Sequence, residues 1–440
     1  LGRKNHSEKF TADLAGDWKN GGKYCTTSTL RPASRWGRRV QNRKRRGFGK
    51  PGMRIKDVRT KLYRWIGPVK IDDTVFATPL SALPFQRDAQ APFRFFSWLV
   101  VEIETDTGLV GIGNAGLCPD VTRQIVDAKL AGLLKGENPF NTEYLFEKMY
   151  RSTVAFGRKG AVLAAISAVD IGLWDIKGLA AKQPVFMLMG GRTKPSIPSY
   201  YSRLYTRNLD RLCQEALEYK EQGFRGMKLR CGYPLTEGLA GLEKNVEMVR
   251  VTREAVGDDI DLMVECYMGF DFPYSKRLLK RLEPYHPRWV EEMLLPDEIH
   301  NFAKLKRTTD IPLSGGEHEF TRYGFHDLLQ AEALDILQFD TNRVGGFTEA
   351  QKICAMAHVH GVEVIPHGGN MHNLHVVMSS FACPMAEYFP KTEIEVGNEM
   401  FWYMFDGEAV AQNGQLQLDD NRPGVGLTLK KTGLENFEIS

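Results

Sequence analysis

Residues 311–320 read IPLSGGEHEF. A short apolar run ends in Gly315-Gly316, and three ionisable side chains follow at once: Glu317, His318 and Glu319. Paired glycines let a backbone turn sharply or approach another segment closely. Burying three ionisable groups is costly unless partners meet them. A strand-like run that ends this way needs a reason, and the rest of the chain supplies one.

From about residue 197 onward the pattern repeats. Eight short apolar runs appear in order: IPSYYSRLY, RGMKLR, DLMVE, RWVE, IPLSGGE, LDILQFD, VEVIPHG and PMAEYF. Amphipathic stretches such as GLEKNVEMVRVTREAV and TEAQKICAMAHVHG separate them. Strands alternating with helices indicate βα units and a parallel sheet. Eight such units in roughly 190 residues predict a (β/α)8 barrel.

The polar residue at each run's end carries the functional argument. Lys228 ends the second run, with Arg230 two residues on; Glu265 ends the third, Glu291 the fourth and Glu317 the fifth. Asp340 ends the sixth, His367 the seventh, and Glu387 lies in the eighth. The three glutamates are spaced 26 and 26 residues apart, and the later gaps are 23, 27 and 20. These are lengths of one strand–helix unit, so the spacing gathers all these groups at one mouth of the barrel, where barrel enzymes place their chemistry.

Upstream, MRIKDVRTKLYRW from Met53 reads as a first strand, and WLVVEIETDTGLVGIGNAG as a hairpin turning at Asp-Thr-Gly. Residues 120–190 read as helical, most clearly in GAVLAAISAVDIGLWDIKGLAAK. Residues 53–190 are thus expected to form an α+β domain and residues 191–395 the barrel.

The charge is unevenly spread. Residues 1–52 hold 14 Lys or Arg against 3 Asp or Glu, while the other 388 residues hold 44 against 51. The basic segment reads either as an arm for an anionic surface or as a non-native extension; it contains no Met, and the first is Met53. The mildly acidic body does not suit a nucleic-acid partner. No apolar run reaches the roughly 20 residues of a membrane span. Seven scattered cysteines without a C-x-x-C suit a reducing, cytoplasmic compartment rather than a disulfide framework.

Three carboxylates converging from adjacent strands repel one another unless a cation holds them. Oxygen-only ligands select a hard ion, and Mg2+ suits a site that also binds a substrate oxyanion. Glu265, Glu291 and Glu317 are therefore read as metal ligands, although any one alone also suits a helix N-terminus. Asp340, one strand before His367, is placed to fix the tautomer of a general base and raise its basicity. Lys228 and Arg230 share an inward strand face and serve either the substrate or an ion pair. Glu387 is read as donating to, or neutralising, an enolate oxygen, or as a salt-bridge partner, and His318 as reaching a substrate hydroxyl. A metal beside a base suggests proton abstraction alpha to a carboxylate.

In order, AAISAVDIGLWDIKGLAAKQPVFMLMGG, MKLR, VECYMGFD, WVEEMLLPDE, GGEHEF, QFDTNRVGG, PHGGNMHN and AEYF resemble the enolase superfamily, mandelate racemase subgroup. The likeness covers about residues 53–440 and is nearest to acid-sugar dehydratases of the L-rhamnonate type. It implies an α+β capping domain over a modified TIM barrel, residues 396–440 returning to the cap, Mg2+ at the three glutamates, a His367–Asp340 dyad, a sugar-acid substrate and a homo-oligomer. Two departures stand out: Glu265 replaces the usual Asp, and Lys228-Leu-Arg230 replaces Lys-x-Lys. Arginine is a poor base, so elimination of a beta hydroxyl is expected over racemisation, which Lys228 keeps as the alternative. Specificity is expected from the loop PVKIDDTVFATPLSALPFQRDAQAPFRF, with Phe85, Arg87 and Arg94 as sugar contacts, and from Arg322 at the substrate or at a subunit contact.

Overall fold

The computed structural model describes residues 52–70, 74–84, 94–205 and 207–440. The basic segment, Phe85 and Arg87 lie outside the described residues. A four-stranded antiparallel sheet is built from β1 (Ile55–Trp65), β2 (Ser97–Thr105) and β3 (Val110–Ala115), with a strand from the far end of the chain, Phe437–Ile439, on the outer edge of β1. Residues 106–109 close the β2–β3 hairpin, and Thr105 N–H donates to Leu109 O at 2.9 Å. The helix Ala161–Ala181 packs under this sheet and is buried on every side from Val162 to Ile176. Its composition follows from that position, since a helix apolar all round needs neighbours all round. It bonds in two directions. Asp175 accepts from Ile112 N–H of β3 at 2.9 Å, while Asp170 accepts from Thr348 N–H of the helix Gly346–Val359 at 3.0 Å.

Eight parallel strands follow: β4 (Ile197–Leu204), β5 (Gly226–Arg230), β6 (Asp261–Glu265), β7 (Trp289–Glu291), β8 (Leu313–Gly315), β9 (Ile336–Leu337), β10 (Glu363–Val364) and β11 (Ala386–Tyr388). Their lateral order is β10-β9-β8-β7-β6-β5-β4-β11, so the eighth strand lies beside the first and the sheet curls into the barrel. The β10–β11 seam has no strand ladder among the described residues; Val364 N–H to Ala382 O, 2.9 Å, spans it.

The ladder fixes which side chains share a level. Lys228, Met263 and Trp289 are lateral neighbours, and two residues on so are Arg230, Glu265 and Glu291. Residues i and i+2 point to the same face. The polar level therefore sits directly above a buried cluster of Tyr200, Met263, Trp289, Ile336, Ile365 and Met385. This apolar layer is the floor of the site.

Candidate active site

Not every key residue ends its strand. Glu265 and Glu291 do, but Glu317 lies two residues past β8, and Asp340 and His367 each lie three past β9 and β10. At Glu317 the reason is backbone geometry. Gly316 takes φ +118°, and a Cβ there would meet the Phe325 ring at 2.9 Å. Only glycine turns the chain inward at that point, which answers why the run ends in glycines.

Glu265, Glu291 and Glu317 are almost fully buried and each offers a carboxylate oxygen within 4.8 Å of the others. Oxygen-only donors at this spacing suit a hard divalent cation. The electrostatics agree. Burial, and then the neighbouring Glu265, push the Glu291 carboxyl up to about 8; so much enclosed negative charge calls for a counter-ion. Lys228 supplies part of it, with Nζ 2.7 Å from Glu291, 2.9 Å from Glu387 and 3.4 Å from Glu265. Arg230 stands farther off, 3.9 Å from Glu265.

Of the two adjacent glutamates in RWVEEM, Glu291 joins the cluster. Glu292 has φ +44° and turns aside to His318, whose Nδ1 is 2.9 Å from Oε2. His318 Nε2 lies 3.5 Å from Glu317 Oε1, so this residue also borders the site. Glu319 faces Lys159 at 2.6 Å.

His367 Nδ1 is 3.0 Å from Asp340 Oδ2, and Nε2 is 2.9 Å from Glu317 Oε2. Burial works most strongly against charging this ring, but Glu317 and the bond to Asp340 together outweigh it and lift the imidazole to about 10. Asp340 accepts from Asn342 N–H at 2.8 Å and so caps the short helix Thr341–Val344. Glu387, fully enclosed, accepts from Gly368 N–H at 2.6 Å and from the Ser202 hydroxyl.

A cleft opens onto this face. Asp340, Arg343, His367 and Asn370 line it together with Phe95, Trp98 and Leu117. Arg94 directly precedes Phe95 at the cleft edge. Arg322 is not brought to this site. Its guanidinium meets Glu349 and lies 2.7 Å from Glu147. A helix position read from sequence does not fix where a long side chain ends, and here two carboxylates on other helices take it.

Three contributors escape the strand-end reading. Trp289 Nε1–H and Gln338 Nε2–H donate to Glu291 Oε2 at 3.0 and 2.8 Å. Arg343 bridges Glu317 (3.4 Å) and Asp340 (3.3 Å). Trp289 and Gln338 each precede a key acid by two residues, so same-face spacing was a usable signal; Arg343 carried none.

Residues 211–433 match the model of the enolase C-terminal domain-like family, and residues 71–190 that of the mandelate racemase / muconate lactonizing enzyme N-terminal domain. The chain is 36% identical to an L-rhamnonate dehydratase of Saccharopolyspora erythraea over 82% of this chain and 90% of that one. The crystal structure of an L-rhamnonate dehydratase from Gibberella zeae is similar at 33% identity and TM-score 0.78, covering 89% of this chain and 97% of that one. A second structure of the rhamnonate dehydratase from that organism, complexed with Mg, is 31% identical with TM-score 0.77, covering 88% and 97%.

Proposed function

The chain belongs to the mandelate racemase / muconate lactonizing enzyme family of the enolase superfamily, and on that premise we propose that it is an Mg2+-dependent dehydratase of an acid sugar, most like L-rhamnonate dehydratase. The observation that carries this reading is the meeting of three buried carboxylates, through Glu317, with the Asp340-backed His367, which lines the cleft.

Glu265, Glu291 and Glu317 would hold Mg2+, which would supply positive charge that lowers the cost of a second negative charge on the substrate carboxylate. A cation on Glu317 would cancel much of the charge that lifts His367, leaving Nε2 to take the alpha proton while Asp340, on Nδ1, holds the ring's orientation and tautomer. The electron pair released at the alpha carbon then expels the beta hydroxyl. His367 returns its proton to that hydroxyl, so water leaves, and the enol becomes a 2-keto-3-deoxy acid. Lys228 and Glu387, 2.9 Å apart, flank the developing charge.

Racemisation needs a second base across the alpha carbon. Lys228 directs its ammonium at three carboxylates, and Arg230 does not give up its proton near neutral pH. Elimination fits these residues better. The test is incubation with a panel of aldonates, L-rhamnonate and L-lyxonate included, with Mg2+ and semicarbazide detection of 2-keto acid. Alpha-deuterium exchange from heavy water without keto acid would move the assignment to racemase.

A further inference from the structure

The stretch PHGGNMHN holds more than His367. Asn373, the third residue of the helix Met371–Ser379, is 1% exposed, and its amide meets three backbone groups. Its Oδ1 accepts from Thr341 N–H at 3.1 Å. Its Nδ2 donates to His367 O at 2.6 Å and to Gly368 O at 3.0 Å. Thr341 directly follows Asp340. One side chain thus ties the loop after β9, which carries Asp340, to the loop after β10, which carries His367.

The turn it holds is a demanding one. Gly368 sits at φ +90°, and a Cβ there would come within 3.3 Å of Asn373 Nδ2. The same Gly368 gives its N–H to Glu387 Oε2 at 2.6 Å. The peptide beside His367 is therefore gripped by Asn373 on its carbonyl side and by Glu387 on its N–H side. The two loops share no strand ladder at this level, since β9 and β10 pair only through Ile336–Leu337 and Glu363–Val364. Past those pairs, Ile365 N–H to Leu337 O and His367 N–H to Phe339 O, both 2.9 Å, and the His367–Asp340 contact also tie the two sides.

We propose that Asn373 is a positioning residue for proton transfer: its amide holds the His367 and Asp340 loops in the register at which the imidazole faces the substrate. This rests on the reading of that pair as the proton-transfer unit. An amide is the side chain that fits, because the position requires one acceptor and two donors on a single planar group. Aspartate keeps the shape but opposes two carbonyls with an acceptor.

The experiment compares wild type with Asn373→Ala and Asn373→Asp, and with Ser379→Ala as a control on the same helix, where the hydroxyl bonds to His375 O and Val376 O. Two readouts are taken: steady-state kinetics on the active aldonate, and the rate of diethyl pyrocarbonate modification at His367 by peptide mass spectrometry, with exposed His358 as internal reference. Displacements near 1 Å cost on the order of 100-fold in rate. Both Asn373 variants are expected to lose about 30- to 100-fold in kcat with KM within about threefold. Their His367 is expected to react at least about threefold faster relative to His358, and Ser379→Ala to match wild type in both. A loss confined to KM, or unchanged His367 reactivity, overturns the proposal. Where Asn373→Ala does not fold, Asn373→Asp, which keeps the volume and the Thr341 contact, decides. A wild-type protein silent on every aldonate would sink the dehydratase reading, and the His367 reactivity would still judge the Asn373 tie.

Discussion

Glu317 Oε2 lies 2.9 Å from His367 Nε2. A carboxylate of the acidic cluster thus touches the nitrogen read as the base, so a substrate held at His367 lies next to the cluster. Asp340 holds the far nitrogen at 3.0 Å, so the ring is fixed from behind and faces the cleft.

That arrangement separates proton transfer from metal binding. His367→Asn should lower kcat by roughly 10³-fold or more, the scale of a lost general base. Mg2+ affinity by calorimetry should stay within a few-fold, because none of the three carboxylates is removed. Alpha-deuterium exchange should vanish together with dehydration. Exchange persisting at the wild-type rate in this variant would assign the base elsewhere.

Removing the cation should destabilise the fold as well as silence it. Glu265, Glu291 and Glu317 crowd within 4.8 Å of one another and are deeply buried. A ligand at 100 times its Kd stabilises by about 2.7 kcal/mol, so saturating Mg2+ should raise the melting midpoint of chelator-treated protein by roughly 3 °C. Glu291→Gln should lose most of that rise. An equal rise in this variant would show that the ion is held somewhere else.

The sequence made this much of the site legible because a parallel barrel converts spacing into position. Glutamates one βα unit apart fall on neighbouring strands, as the lateral pairing of Glu265 with Glu291 illustrates. The same rule does not reach residues whose place depends on loop geometry. Glu292 reaches His318 only because its backbone turns to φ +44°, and Arg343 joins Glu317 to Asp340 from a one-turn helix. Trp289 is core, and its indole N–H touches Glu291 only because the apolar layer lies immediately below the polar one. The eight-unit architecture was readable from apolar periodicity alone. Strand ends were not: β9 and β10 each ladder over two residues, and their chemistry sits on the turns beyond.

Arg322 offers a test of stability without chemistry. Its guanidinium is shared by Glu349, which is fully buried, and Glu147. Arg322→Ala would strand the Glu349 charge with Lys352, 3.1 Å away, as its remaining cation. Because Arg322 is only part-buried and Glu349 keeps Lys352, the loss should cost about 1–3 kcal/mol, while KM for the sugar acid should remain within about twofold of wild type. A KM effect of tenfold or more, with an unmoved melting midpoint, would instead place this arginine on the substrate.

The last prediction concerns pH, at the joint between the helix Ala161–Ala181 and the barrel helix Gly346–Val359. Asp170 is fully buried and accepts both the N–H of Thr348, at 3.0 Å, and its hydroxyl, at 2.6 Å. Trp174 Nε1–H completes the chain by donating to Thr348 Oγ1 at 3.0 Å. Burial pushes the Asp170 carboxyl up to about 7, with the Thr348 bonds opposing it. An unfolded aspartate titrates near 3.9. Between those two values the folded protein binds more protons than the unfolded one, so stability falls as pH rises through that window and levels off above about 7. Asp175, raised to about 6 by burial, adds to the slope in the same direction, and other groups contribute their own. Asp170→Asn isolates the term. Between pH 5 and pH 8, at fixed Mg2+, the stability of wild type relative to Asp170→Asn should drop by roughly 1–3 kcal/mol. Melting midpoints of the two proteins, recorded across that range, should therefore converge or cross as pH increases if the wild type starts above the variant, and diverge if it starts below. Curves that run parallel would mean that Asp170 carries the same charge in the folded protein throughout, and that its Thr348 bonds stabilise the carboxylate more than burial opposes it.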